Sequence, residues 1–245
     1  MSRNYELLQQ IESERSESAL PASFAAARNG LSAYPAVRWA GEEALRLVQQ
    51  IFLPQTQEPP RVVVFAGIDH GNGCSQICAA VAETLASNDR GRVCLVEANF
   101  RTPALPGMFG VTNHFGLTEA LRQDAPIDTF ARPLHQENLW LLSSGSLAVD
   151  SPNLLTSDQL RTRIAELRQR FDFVIVDAPP LTRYSDAVVL GRLSNGLVLV
   201  IEANSTRREA AAAVTESLRS AKVPILAAVL NKRTFPIPEK IYRML

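Results

Sequence analysis

Residues 62–75, Val-Val-Val-Phe-Ala-Gly-Ile-Asp-His-Gly-Asn-Gly-Cys-Ser, run from an unbroken apolar stretch through a Gly-x-Gly turn into a further apolar segment. A buried strand, a sharp turn and a helix in that order restrict the chain to α/β architectures, with the turn at the carboxyl edge of a sheet. Gly71 and Gly73 let successive N–H groups face one point at the helix start, which is how main chain holds a phosphate. Gly71, Asn72, Gly73, Cys74, Ser75 and Gln76 are therefore the candidate nucleotide-binding residues, with the Ser75 hydroxyl placed for Mg²⁺. Cys74 stands where such a loop carries its lysine. That ammonium reaches the β- and γ-phosphates and neutralises charge during phosphoryl transfer. A thiol cannot, and losing one charge-assisted contact costs on the order of 1.5–3 kcal/mol. Taken alone, the Gly-x-Gly fits a plain βα turn equally well.

The 245 residues are 46% hydrophobic, enough for one sizeable core with an appendage. Twenty-five basic residues balance twenty-five acidic ones, so composition offers no field for nucleic acid or an anionic membrane. Three cysteines, Cys74, Cys78 and Cys94, are too few for a secreted disulfide framework, and a reducing cytoplasm fits. No apolar run approaches the ~18 residues of a membrane span, so the chain is expected to be soluble. His70, Cys74 and Cys78 are spaced by four. A phosphate loop is not helical at His70, however, and Cys78 points toward the core, so no metal site is expected on that trio. Cys74 itself is read first as a volume filler, with a reactive thiol at a helix start as the minor alternative. Trp39 and Trp140 read as packing residues.

Residues 4–14 and the Ser/Ala/Pro-containing stretch after them read as an N-terminal helical arm, partly flexible, ending near residue 38. A helix is expected over 40–52, with Ala44, Leu45, Val48, Ile51 and Phe52 on one face and a stop at Pro54. From Arg61, strands at 61–66, 92–97, 138–142, 172–177, 196–202 and 224–230 alternate with helices at 74–88, 116–123, 157–170, 185–193 and 206–221. Continuous Val/Ile/Leu strands suit a mostly parallel sheet covered on both faces. The expectation is a doubly wound, Rossmann-like α/β domain over 39–245. Glu97 with Asn99, Asp177, and Asn231 with Lys232 lie at its strand ends, converging on the loop.

Three motifs together resemble the bacterial tyrosine kinases of capsule and exopolysaccharide synthesis, in the MinD/ParA-like branch of P-loop NTPases, from about Ala40 to Asn231. The family's Pro-Gly-Glu-Gly-Lys-Ser/Thr loop is matched by His70-Gly71-Asn72-Gly73-Cys74-Ser75, without the lysine. Its strand ending in Asp-x-Asp-x-Arg-x-Pro is matched by Glu97-Ala98-Asn99-Phe100-Arg101-Thr102-Pro103, with both aspartates altered. Its strand ending in Asp-x-Pro-Pro is matched by Phe171-Asp-Phe-Val-Ile-Val-Asp-Ala-Pro-Pro180. The resemblance implies that Glu97 is the base for an attacking tyrosine and that Asp177, with Ser75, holds Mg²⁺. It also implies that Asn231 contacts an adenine base. The family's oligomerisation helix, Glu-x-x-Arg-x-x-Arg, is matched by Glu43, Arg46 and Gln49, the last without its cation. A C-terminal tyrosine cluster is reduced to Tyr242.

The resulting expectation is a degenerate (pseudo)kinase that regulates or scaffolds exopolysaccharide synthesis and export, with weakened binding of ATP/ADP and Mg²⁺. Its implied partners are the cytoplasmic part of a membrane chain-length (co-polymerase) protein, and a homo-oligomer or a mixed ring with an active paralogue. It is placed in the cytoplasm, peripheral to the inner membrane through that partner. One alternative is a weak autokinase in which Glu97 and Asp177 act with Arg101, or a neighbour's Arg46, replacing the cation. Another is a MinD/ParA-like ATPase.

Overall fold

The computed structural model describes residues 41–53, 58–88, 91–146, 154–155 and 157–233. The expected arm over 1–38 and Tyr242 lie outside the described residues. The elements are α1 (Gly41–Phe52), β1 (Val62–Gly67), α2 (Cys74–Ser87), β2 (Val93–Glu97), α3 (Leu105–Met108), α4 (Leu117–Ala120), β3 (Arg132–Pro133), β4 (Leu139–Leu142), α5 (Asp158–Arg170), β5 (Phe173–Ala178), α6 (Asp186–Leu193), β6 (Gly196–Glu202), α7 (Arg208–Ser220) and β7 (Ile225–Asn231). The sheet has seven strands in the order β3-β4-β2-β5-β1-β6-β7, parallel except for β3 against β4. No helix among the described residues is long and apolar enough to cross a membrane.

Successive side chains on a strand point to opposite faces, and β1 shows the consequence. Val62, Val64 and Ala66 pack into one buried cluster with Leu160, Ile164, Leu190 and Leu218 of α5, α6 and α7. Val63 and Phe65 pack into the other, with Val48 and Phe52 of α1 and Ile77, Val81 and Leu85 of α2. Every residue of β1, β2 and β5 is buried, so the unbroken apolar runs follow from two-sided cover rather than from alternation. On α1 the buried face is Ala44, Leu47, Val48, Ile51 and Phe52. Leu47 takes the place expected of Leu45, because the face bends toward Leu47 by one further step of the i, i+3, i+4 pattern.

Strands and long helices fall within two residues of the sequence expectation, while the segment between β2 and β4 departs from it. The helix expected over 116–123 closes after Ala120. The reason is Arg163 of α5, fully buried, whose guanidinium donates to the Ala120 carbonyl at 2.7 Å, the Ala125 carbonyl at 2.8 Å and the Gln123 carbonyl. Those carbonyls find a cation instead of a further helical turn, and the rigid five-donor fork satisfies several at once.

Glu83 sits on α2 at 4% exposure, and its Oε1 has no hydrogen-bond partner among the described residues. Burial pushes its carboxyl up from 4.5 to about 7. The folded state therefore holds this proton longer than the unfolded chain, and stability is lost as pH rises between those two values. Glu83→Gln is expected to raise the unfolding midpoint at about pH 8, by on the order of 1–3 kcal/mol of stability, and to change it little at about pH 4. Thermal denaturation across that range checks this, and a wild-type-to-variant gap independent of pH would contradict it.

Candidate functional site

The loop after β1 is closed by its own side chains. The Asn72 Oδ1 accepts from the Asp69 N–H at 2.6 Å, a side-chain bond reaching back three residues that stands in for a backbone partner. From below, the Asn231 amide donates to the Asn72 carbonyl at 2.8 Å, and the Asn72 amide in turn donates to Glu202 at 3.3 Å. Lys232 donates to the Gly71 carbonyl at 2.7 Å and pairs with Glu202 at 3.2 Å. Gly71 and Gly73 have φ of 84° and 82°, the left-handed region that glycine enters without cost. Gly73 caps α2 and has no side chain, so the first-turn N–H groups have neither an intrahelical acceptor nor a side-chain cap. A glycine loop at a helix start of this shape can hold an anion.

A cavity of about 520 Å³ opens in front of it, lined by the loop from Asp69 to Gln76 and by Asn99, Thr102, Met108, Asp177, Pro180 and Lys232. Six expected residues, Gly71, Asn72, Gly73, Cys74, Ser75 and Gln76, thus stand together with Asp177. Three others stand apart. Glu97 is fully buried, with Oε1 accepting from the Asn99 N–H at 3.2 Å and Oε2 from the Ala104 and Leu105 N–H groups at 2.8 and 2.9 Å. Its longer arm reaches back to tie down the turn into α3, and it does not line the cavity where a base would meet a hydroxyl. Arg101 is turned away, paired with Asp186 and stacked 3.8 Å over the Tyr184 ring. Asn231 is buried beneath the loop and forms no part of the cavity wall. The glycine cradle, Ser75 and Asp177 fit a phosphate with Mg²⁺, whereas the position of the loop's ammonium holds a thiol.

The electrostatics behind the loop are those of a crowded acidic site. Adjacent strands place Asp177 directly beside Glu97. Burial pushes the Asp177 carboxyl up to about 6, against the Ser75 hydroxyl and the Cys74 and Cys78 thiols, which favour its charged form. Burial and then the Asp177 charge push Glu97 well above the carboxylate range, despite its three backbone donors. For Cys74, contact with Cys78 favours the thiolate, but burial and the neighbouring carboxylates push the thiol up to about 11. Cys74 is a neutral thiol near pH 7.

Lys232 is the cation that sequence reasoning placed at a strand end without giving it a role. Its φ of 55° lies in the left-handed region, which its residue type does not announce, and its ammonium reaches the loop at the Gly71 carbonyl. Glu202, its partner, carried no signal beyond closing β6. On α1, Glu43, Arg46 and Gln49 are all exposed, one turn apart.

The tyrosine-protein kinase YwqD of Bacillus subtilis is 31% identical over 161 residues, covering 66% of this chain and 68% of that protein. The chain belongs to the bacterial tyrosine-protein kinase family. The tyrosine-protein kinase Etk of Escherichia coli K12 is 26% identical over 200 residues, 82% of this chain and only 26% of Etk. No family model matches the chain. Among solved structures, the chimerical protein CapA2B2 superposes with a TM-score of 0.73 at 22% identity, over 79% of this chain and 85% of that one. The septum site-determining protein MinD with Mg-ADP, from Pyrococcus horikoshii, does so with 0.58 at 21%, over 75% and 76%. Both carry the P-loop α/β fold described above.

A Cβ on Gly73 would lie 2.4 Å from the Asn231 amide nitrogen, in addition to the strain of its positive φ. Gly73→Ala is expected to cost about 1–3 kcal/mol. Gly107→Ala in α3, where a Cβ meets nothing within 4 Å, is the control and is expected to be near neutral. Denaturant titration of both variants checks this, and equal midpoints would contradict it.

Proposed function

We propose that this chain is a degenerate tyrosine-kinase-family domain that regulates or scaffolds capsule and exopolysaccharide synthesis rather than transferring phosphate itself. The observation that carries this reading is that Cys74, and no lysine, heads α2 in a cradle whose glycines, Ser75 and Asp177 are otherwise in place. Cradles of this kind bind the phosphates of ATP or ADP through main-chain N–H groups, with Ser75 and Asp177 as the residues that hold Mg²⁺. Bound metal supplies charge neutralisation on the phosphates. Without the ammonium, binding is weakened and the transition state loses its principal protein-borne cation. Glu97, committed to three backbone donors, and Arg101, committed to Asp186, do not restore it.

The partner in this reading is the cytoplasmic part of a membrane chain-length or co-polymerase protein, which holds the domain at the inner membrane. The exposed Glu43, Arg46 and Gln49 face of α1 is the surface for a second copy or an active paralogue. Asn231 acts in this reading on the loop itself, by holding the Asn72 carbonyl.

One observation favours a second reading, a weak autokinase: Lys232 lines the cavity and reaches the loop carbonyl at 2.7 Å, within range of substituting for the ammonium. Incubation with ATP and Mg²⁺ followed by phosphotyrosine detection separates the two. The scaffold reading predicts no signal from wild type and a gained signal from Cys74→Lys. A wild-type signal that disappears in Lys232→Ala would overturn it in favour of the autokinase.

A further inference from the structure

The cysteine in the loop is not alone. Cys74 opens α2 and Cys78 follows one turn later, so their side chains share a helix face. The carboxyl end of β5 brings Asp177 against that face. The two sulfur atoms and an Asp177 carboxylate oxygen all lie within 4.8 Å of one another. The set draws on two of the three residues whose spacing is visible in the sequence, with Asp177 in the place of His70.

A second observation points to a ligand there. Asp177 is 1% exposed, and its Oδ2 has no hydrogen-bond partner among the described residues. A buried carboxylate oxygen without a partner costs on the order of 1–3 kcal/mol or more unless something is bound to it. A hard ion such as Mg²⁺ prefers oxygen donors and would leave both sulfurs unused. Two sulfurs and one carboxylate oxygen are instead the donor set of a soft, tetrahedral d¹⁰ ion.

We propose that Cys74, Cys78 and Asp177 form a zinc-type site at the head of α2. Binding releases the two thiol protons to solvent and replaces them with one divalent ion bridging two thiolates and a carboxylate. The fourth position faces the cavity, since Cys74 and Asp177 line it while Cys78 is closed off in the core. Water, or an anion from the cavity, completes the tetrahedron. A dication with three anionic ligands carries one net negative charge, and this meets the positive end of the α2 dipole. The buried Asp177 oxygen gains its missing partner in the same step. Asp177, which holds Mg²⁺ in the nucleotide-bound reading, is the zinc ligand of the nucleotide-free chain, so the two ions are alternatives at one carboxylate, and the zinc site does not depend on whether the domain phosphorylates tyrosine.

The test uses the full chain, stripped with a chelator and free of nucleotide, so its outcome is independent of the kinase-family reading. It is titrated with Zn²⁺ alone against a chromophoric competitor, and separately with Co²⁺ alone, followed by absorption. One Zn²⁺ per chain is expected, together with a thiolate-to-cobalt charge-transfer band in the near ultraviolet. Cys74→Ser and Cys78→Ser are each expected to weaken Zn²⁺ binding by about tenfold or more. Cys94→Ser, a buried thiol outside the cluster, is expected to leave it unchanged. Substoichiometric Zn²⁺, a cobalt spectrum without the thiolate band, or wild-type Zn²⁺ affinity retained in Cys74→Ser or in Cys78→Ser would each overturn the proposal. The wild-type cobalt spectrum decides by itself if a cysteine variant fails to fold.

Discussion

The parallel register around β5 is the constraint on which the crevice depends. Asp177 pairs with Glu97 of β2 on one side and with Phe65 of β1 on the other. One step of slip would send Asp177 to the opposite face of the sheet, away from the loop that follows β1. Because all three strands are buried on both faces, register is held by packing as well as by hydrogen bonds. The loop, the head of α2 and two carboxylates are therefore delivered to one place by the fold itself. The loop's internal pins, from Asn72, Asn231 and Lys232, only refine its shape.

That delivery creates an electrostatic problem. Two buried carboxylates stand side by side, and the loop that faces them has exchanged an ammonium for a thiol. Burial favours the protonated form at Asp177, Glu97 and Cys74, and at Glu97 and Cys74 the neighbouring carboxylate charge adds to it. A site in this condition keeps the shape of a phosphate cradle without its charge balance. Fold and chemistry are separable at this point: the glycines, Ser75 and Asp177 are in place around the cavity, and Cys74 stands where the loop's lysine is expected.

Much of this was legible in the sequence, for identifiable reasons. Unbroken Val/Ile runs between helical segments forecast a two-sided sheet, and strand-end residues such as Asp177 forecast the crevice. The Gly-x-Gly turn located the cradle because glycine alone enters its dihedrals freely. What was not legible depends on contacts distant in sequence. Arg163 ends the short helix at Ala120 through carbonyls more than thirty-five positions away, and no local pattern encodes that. Glu97 was expected as a base, but its longer arm finds the backbone of Ala104 and Leu105 instead. Lys232 reaches the loop with its ammonium from a left-handed backbone position that propensity does not favour. The meeting of Cys78 with Asp177 required the register between β1 and β5 as well as the helix start.

The account stands on the claim that Cys74 leaves an intact cradle deprived of one charge. Calorimetric titration with ADP and ATP, with and without Mg²⁺, on wild type and Cys74→Lys addresses that claim directly. Weak or absent binding by wild type and restored, Mg²⁺-dependent binding by the variant is the predicted result. Tight, Mg²⁺-dependent ATP binding by wild type, unimproved by the lysine, would contradict it and show that another group carries the charge.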